Sequence, residues 1–443
     1  MRSPTGTSRS TSTSFPERVD ALAASLIAAG ATPGAAVAVA DRERIVWSGY
    51  YGHADPAAGK PVDAETLFEI GSISKSFTAS CLLRQWQAGR LDLDADMRTV
   101  LPWFPFDGIT VHHLLSHTGG IICSLGDPPS PATEVVALAD TARAPVGSGF
   151  WYSNVGYQAL AYVLERLTGE PFADTYRREI LEPLGLTHTE PLTTIDVRPR
   201  LAVGHEAYDE ATPWRLGDPL AAATWVEYNG GDGSVCATVE DLAAYGRSFL
   251  AGDAVAERMG TPVVEDPEDG SMYGYGVWRR TVGGRRWVGH SGSTVGYRAQ
   301  VWGDLEAGIC AAAIVNGKTG SKLLAELALR LAVGDDPPDP ELTGLDDAAA
   351  SVALDAEPPE ELRPICGLYR SHNPWATTLR VATVAGRPVA VVWGEAEPLT
   401  PLPDGSFRLG RPEWSPERLR FELPLEGRCM RAVHGTTPFH RPE

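Results

Sequence analysis

Within residues 16–335, stretches with β-strand character occur in two widely separated parts, and that distribution constrains the fold more than any single motif. Ala35 to Ala40 and Ile45 to Tyr50 read as strands on either side of the turn Asp41-Arg42-Glu43-Arg44. The next strand patterns come only at Tyr275 to Val282, Arg286 to His290, Tyr297 to Trp302 and Cys310 to Asn316. Between them, from Leu91 to Gly260, helical segments such as Val155 to Leu167 and Val239 to Leu250 alternate with Gly- and Pro-rich loops. An isolated hairpin is marginal in water, so the early strands need partners, and the late strands supply them. The pattern predicts one antiparallel sheet built from both ends of a domain, with a helical subdomain between, in the α+β class. A helix from Pro16 to Ala29 opens this unit and one from Ser321 to Ala332 closes it.

At 443 residues the chain exceeds what one hydrophobic core usually serves. A break is visible between Gly334 and Glu361, where Asp-Asp-Pro-Pro-Asp-Pro and Glu-Pro-Pro-Glu-Glu have linker composition. From Ile365 onward short alternating strands meet turn signals such as Ala385-Gly386-Arg387, Pro403-Asp404-Gly405 and Glu426-Gly427, as a small antiparallel β-barrel would. The expected organisation is a tail at 1–15, a main domain at 16–335, a linker at 336–361 and a barrel at 362–443.

Charge excludes one class of partner. A net charge of -19 argues against nucleic acid, whose phosphates call for clustered Lys and Arg. The first twenty residues lack the apolar core of a secretory signal, and Ala21 to Ala40 is broken by Gly30, Pro33 and Gly34, so neither export nor a membrane partner is expected and the expected location is cytoplasmic. Six scattered cysteines show no zinc spacing and no compact disulfide framework, and no cofactor or metal is expected. His112, His113 and His117 read as framework, and Asp232-Gly233-Ser234 as a turn.

The chemistry concentrates at Ser72-Ile73-Ser74-Lys75. Three residues along a helix is nearly one turn, so the hydroxyl and the amine share a face and can share a proton. The helix N-terminus favours a developing anion at Ser72 and disfavours an ammonium at Lys75. Only four lysines stand against 34 arginines, and arginine cannot act as a base. Tyr152 and Asn154, two apart ahead of a helix, can both face a cleft. Gly289-His290-Ser291-Gly292-Ser293 lies at the edge of a late strand, where small residues let a substrate backbone approach. There the Ser293 N–H can join that of Ser72 as an oxyanion hole. Gly292, Trp225 and Glu227 are further candidates for substrate contact.

These motifs, in this order, resemble the serine β-lactamase/penicillin-binding-protein superfamily, in particular its class C-like branch of esterases, D-aminopeptidases, D,D-carboxypeptidases and acyltransferases. The likeness runs from Pro16 to Val333 through Phe68 to Thr78, His113 to Gly120, Tyr152-Ser153-Asn154 and Gly289-His290-Ser291-Gly292 to Asn316-Gly317. It implies a β-lactamase/transpeptidase-like domain in which Ser72 forms an acyl-enzyme, Lys75 and Tyr152 exchange its proton, and Asn154 orients substrate. His290 stands at the place of the family's third-motif lysine. A mostly neutral imidazole draws a substrate carboxylate less strongly, which favours esters, amides or thioesters. Lys318-Thr319-Gly320 imitates that third motif but follows a turn and precedes a helix, so it is set aside. The C-terminal module resembles the lipocalin-like barrels appended to some of these hydrolases and is expected to roof the site.

The leading expectation is a hydrolase of a small-molecule or peptide acyl substrate, including one with a D-amino acid. The alternative, on the same site, transfers or cyclises a peptidyl or acyl group, including one delivered on a carrier protein. A third is a silent ligand-binding protein. No feature of the sequence sets an oligomeric state.

Overall fold

The computed structural model describes residues 14–121, 144–342, 353–410, 418–435 and 437–442. Helix α1 (Phe15–Ala28) begins at a capping box in which Ser14 and Glu17 satisfy each other's end of the first turn. Strands β1 (Gly34–Ala40), β2 (Ile45–Asp55) and β3 (Lys60–Pro61) follow. Five more strands and an edge strand come late: β4 (Val264–Glu265), β5 (Met272–Tyr273), β6 (Trp278–Val282), β7 (Arg285–Thr294), β8 (Tyr297–Asp304) and β9 (Ile309–Val315). They form one antiparallel sheet in the order β3-β2-β1-β9-β8-β7-β6-β5-β4. The two ends of the main domain thus meet at the sheet centre, where Val37 lies opposite Ala313 on one side and Gly49 on the other.

Strand β1 shows why the sequence reads as a continuous apolar run. Every residue of Gly34–Ala40 is buried, because layers cover both faces of the sheet. Ala35, Val37 and Val39 face α1 and the closing helix α5 (Ser321–Ala332), in a core that includes Leu22, Leu26, Leu324 and Leu327. Ala36, Ala38 and Ala40 face the helical subdomain through α2 (Ser74–Gln87), α3 (Asn154–Thr168) and α4 (Val239–Gly246), with Phe77, Leu160 and Tyr245 in its core. Phe77 stacks on Tyr245 with centroids 3.8 Å apart.

Eight further strands close into an antiparallel barrel: β10 (Gly367–Arg370), β11 (Thr378–Val384), β12 (Arg387–Val392), β13 (Glu395–Pro401), β14 (Phe407–Leu409), β15 (Arg418–Leu425), β16 (Arg428–His434) and β17 (Thr437–His440). The β10–β17 pairing at Arg370 and His440 completes it. The β12–β13 hairpin turns on Trp393 and Gly394, both at positive φ, the two-residue turn whose twist matches its strands. Its tip docks on the main domain: the Trp214 N–H donates to the Gly394 carbonyl (2.7 Å) and the Gly394 N–H to that of Glu210 (3.1 Å).

One sequence expectation changes. The strand expected to stop at His290 continues to Thr294, so the five residues Gly289 to Ser293 lie within β7. The reason is pairing: Gly289 to Ser293 lie opposite Trp302 to Arg298 of β8, which continues the ladder past the histidine. The expected tail and linker fall in part, and Cys123 wholly, outside the described residues. Cys81, Cys236 and Cys310 are buried thiols, and Cys366 and Cys429 are half-buried. No helix of the described residues is long and apolar enough to cross a membrane.

Candidate active site

Ser72 is the middle residue of a short 3-10 turn, Gly71–Ile73, that runs directly into α2. This places Lys75 one turn on, fully buried, with Nζ 3.0 Å from Ser72 Oγ. The same nitrogen donates to Asn154 Oδ1 (2.7 Å) and to the Asp232 carbonyl (2.9 Å). It also lies 4.8 Å from the centre of the Tyr152 ring and 5.9 Å from that of Tyr157. Asn154 reaches it because Ser153 caps α3, accepting from the Gly156 N–H, so that the amide opens the helix.

Strand β7 lies against the serine turn at backbone distance, and two glycines allow it. A Cβ on Gly292 would fall 1.8 Å from the Ile70 carbonyl oxygen and 3.2 Å from the Ser72 nitrogen. One on Gly71, at φ +52°, would meet the Ser293 backbone at 2.8 Å. The amides of Ser72 and Ser293 are therefore close neighbours, as an oxyanion hole requires. A cavity of about 360 Å³ opens beside them, lined by Ser72, Tyr152, His290, Gly292, Ser293 and Lys318 to Lys322.

His290 lines this cavity but is only 1% exposed. Its Nδ1 faces the Ser291 carbonyl and must donate to it, which leaves Nε2 to accept from the Tyr273 hydroxyl at 3.2 Å. Burial drives its pKa down to about 3, with Lys75 and Arg280 adding to the effect against the Ser291 hydrogen bond. The ring is thus a neutral strut between β5 and β7. His117, at φ 58°, stacks 4.3 Å from Tyr152 and accepts from the Ser153 N–H at 3.0 Å. Burial, then Lys75 and His290, hold it well below the usual imidazole range. His112 meets the Tyr275 hydroxyl and His113 caps its own helix at Thr110, so the three histidines serve three different contacts.

Two candidates lie apart from both the cavity and the contacts of Lys75. Glu227 is exposed and its carboxylate accepts from the Ile195 N–H at 2.7 Å. Trp225 packs beside the small cluster of Leu67, Val197, Leu201 and Cys236, under the Arg198 guanidinium. The cause is local: Tyr228 pairs with Thr193 and turns inward, which sends its neighbour Glu227 out.

Sequence reasoning passed over three contributors. Lys318-Thr319-Gly320, set aside as a third motif, lines the same cavity as Ser72 and β7. Lys318 is 7% exposed and its Nζ donates to the Trp393 carbonyl (2.7 Å) and to Glu395 (3.1 Å), both on the barrel hairpin, with Glu206 at 3.6 Å. Arg298, also on the cavity, pairs with the same Glu206 at 3.0 Å. Asp232 is a turn residue, as expected, but its carbonyl is the third partner of Lys75. The scarcity of lysine was the available signal for Lys318; nothing local marked Arg298 or Asp232.

The family profile described as Beta-lactamase matches residues 19–335. Penicillin-binding protein 4* of Bacillus subtilis is 28% identical over 59% of this chain and 63% of its own. The D-aminopeptidase of Brucella anthropi is 25% identical over 68% of this chain and 59% of its own. The chain thus spans about three fifths of the length of these curated relatives. Among solved structures, an octameric penicillin-binding protein homologue from Pyrococcus abyssi superposes with a TM-score of 0.67 at 22% identity, covering 96% of this chain and 99% of that one. A D-amino acid amidase from Ochrobactrum anthropi superposes at 0.62 and 22% identity over 72% of this chain and 98% of that one. The likeness to these structures establishes the fold.

Proposed function

This chain belongs to the beta-lactamase family, and from that premise we propose that it is a serine hydrolase that cleaves an ester or amide through an acyl-Ser72 intermediate. The observation that carries the reading is the buried Lys75 amine 3.0 Å from Ser72 Oγ, beside the paired amides of Ser72 and Ser293. A free hydroxyl is a weak nucleophile, so it needs a neighbouring base as it attacks. Ser72 Oγ bonds to the acyl carbon while its proton passes to Lys75, and the two N–H groups hold the oxyanion. The carbonyl re-forms, the bond to the leaving group breaks, and Tyr152 or Lys75 returns a proton to the departing oxygen or nitrogen. Water then attacks the acyl-serine by the reverse sequence and releases the acid. Asn154, held on Lys75, orients the acyl side chain.

The neutral, engaged His290 supplies no cation for a substrate carboxylate; the cations on the cavity are Arg298, Lys318 and Lys322. The D-aminopeptidase relatives support a D-amino-acid acyl group.

The test is intact-mass spectrometry of the wild type and Ser72→Ala after exposure to a penicillin, a nitrophenyl ester and a D-aminoacyl thioester. An adduct on the wild type alone, released as free acid, is the expected result. Release as an amide-linked product would make the protein an acyltransferase on the same site. Equal labelling of both proteins, or of neither, overturns the acyl-serine reading.

A further inference from the structure

Outside the cavity lining, the main domain and the barrel meet in a chain of contacts that ends on Lys75. Trp375 sits in the barrel between β10 and β11, and its ring packs edge-on to Tyr228 with centroids 5.3 Å apart. Its position is fixed within the barrel, since the Trp393 indole N–H donates to the Trp375 carbonyl. The Tyr228 hydroxyl donates to the Asp232 carboxylate, 2.6 and 2.7 Å from its two oxygens, and accepts from Gln158 at 3.1 Å. Asp232 is 4% exposed, and its carbonyl takes the hydrogen bond from Lys75. Thr78 on α2 donates to the Gly231 carbonyl and pins the same loop.

We propose that Asp232 is a positioning residue for Lys75, that Tyr228 orients it, and that the barrel takes part in the active site by covering this pair with Trp375. The inference rests on Lys75 being the base of the reaction proposed above. A carboxyl buried beside the amine interacts with it through a medium that screens charge poorly, so the state of Asp232 biases that of Lys75. Burial raises the pKa of Asp232, and Lys75 and the Tyr228 hydrogen bond oppose this. The other titratable groups facing Lys75 are Tyr152, Tyr157, His117 and His290. Tyr157 is pushed up by burial, and both histidines are pushed down, so neither ring carries a charge near neutrality. Asp232 is the acidic member of the set. An apolar cover over Tyr228 keeps water from competing for its hydroxyl, and the barrel provides that cover.

Having only four lysines makes a direct test practical. The full chain is labelled with 13C at lysine Cε and titrated by NMR, with the Lys75 signal assigned through Lys75→Arg. Asp232→Asn should lower the Lys75 midpoint by about one pH unit, the scale of one close opposite charge. Tyr228→Phe should lower it by less, because it removes a donor that favours the carboxylate. Trp375→Ala should follow in the same direction, with Lys60 and Lys322 unmoved in every variant. In a wild type that acylates, the acidic limb of the kcat/KM profile should shift with the Lys75 midpoint.

An unmoved Lys75 midpoint in Asp232→Asn overturns the proposal, and Tyr228→Phe decides in its place if that variant does not fold. A shift in Asp232→Asn with none in Trp375→Ala overturns the part assigned to the barrel. The titration needs no substrate, so its outcome is independent of the adduct experiment, whose failure would remove the proposed function instead.

Discussion

The two walls of the active site are built in opposite ways. Ser72 and Lys75 come from a single turn, and their hydroxyl and amine meet because three residues of helix bring them together. The other wall takes His290 to Ser293 from β7, Arg298 from β8, Lys318 to Lys322 from the turn into α5, and a pair of barrel contacts that hold Lys318. The first wall depends on local spacing and the second on sheet register and domain docking. Chemistry that needs two atoms at hydrogen-bond distance is thus secured by the part of the fold least sensitive to distant change, while the shape of the cavity is left to the part most sensitive to it.

The sharpest way to break this contrast is at Gly292, where the two walls touch. Gly292→Ala places a methyl group 1.8 Å from the Ile70 oxygen, so β7 must retreat from the serine turn. Parting the two amides should cost about 100-fold or more in kcat, and overpacking about 1–3 kcal/mol of stability. Kinetics and thermal unfolding read both. Full activity in this variant would show that the Ser293 amide is not part of the reaction.

Lys318→Met tests the second wall alone. It leaves Glu206 with Arg298 as its remaining cation, and removing one member of a buried charge cluster should destabilise the protein by about 2–3 kcal/mol. Its kinetic effect should appear in KM more than in kcat, since Lys318 is absent from the contacts of Ser72 and Lys75. A fall in kcat with unchanged KM would instead tie this wall to the chemical step.

Two buried groups beside the serine turn should make stability depend on pH with opposite signs. His290 titrates near 6.5 when unfolded and near 3 in the fold, so its contribution is complete above about 6.5 and is lost as pH falls towards 3. Burial raises the pKa of Glu69 from 4.5 to about 8, so the folded chain holds an extra proton across that window and stability is lost as pH rises through it. Urea unfolding at pH 5 and pH 8 should show Glu69→Gln gaining on the wild type at the higher pH, and His290→Gln gaining on the wild type at the lower pH. A parallel pH response in both variants and the wild type would contradict both assignments.

The smallest effect is expected at the barrel's own carboxylate. The Glu395 side chain is 60% exposed, so Glu395→Gln should cost under about 1 kcal/mol by thermal unfolding. A cost equal to that of Lys318→Met would mean that Glu395, and not buried Glu206, is the main partner of Lys318.

Much of the first wall was legible before any coordinates. Ser72, Lys75, Tyr152 and Asn154 announce themselves by residue type and by helix period, and their side chains converge around one amine. The central strands were legible because burial on both faces leaves a run such as Gly34–Ala40 with no polar residue. The end of β7 was not, because a Gly-Ser-rich run has the composition of a turn and only its pairing with β8 keeps it extended. Glu227 misled for a related reason: whether a loop carboxylate points in or out depends on which neighbour the partner strand draws inward, and here that is Tyr228.

The sequence by itself determined the serine–lysine turn, the two-ended sheet and the barrel that follows, because each is encoded by periodicity or by spacing within a few residues. Only the tertiary structure decided that the Asp232 carbonyl meets Lys75, that Lys318 lines the same cavity as Ser72, and that Trp375 and the Trp393–Gly394 turn of the barrel reach the main domain. Those contacts join residues far apart in the chain. Their geometry follows from how whole layers pack, and no local pattern of residue types carries that information.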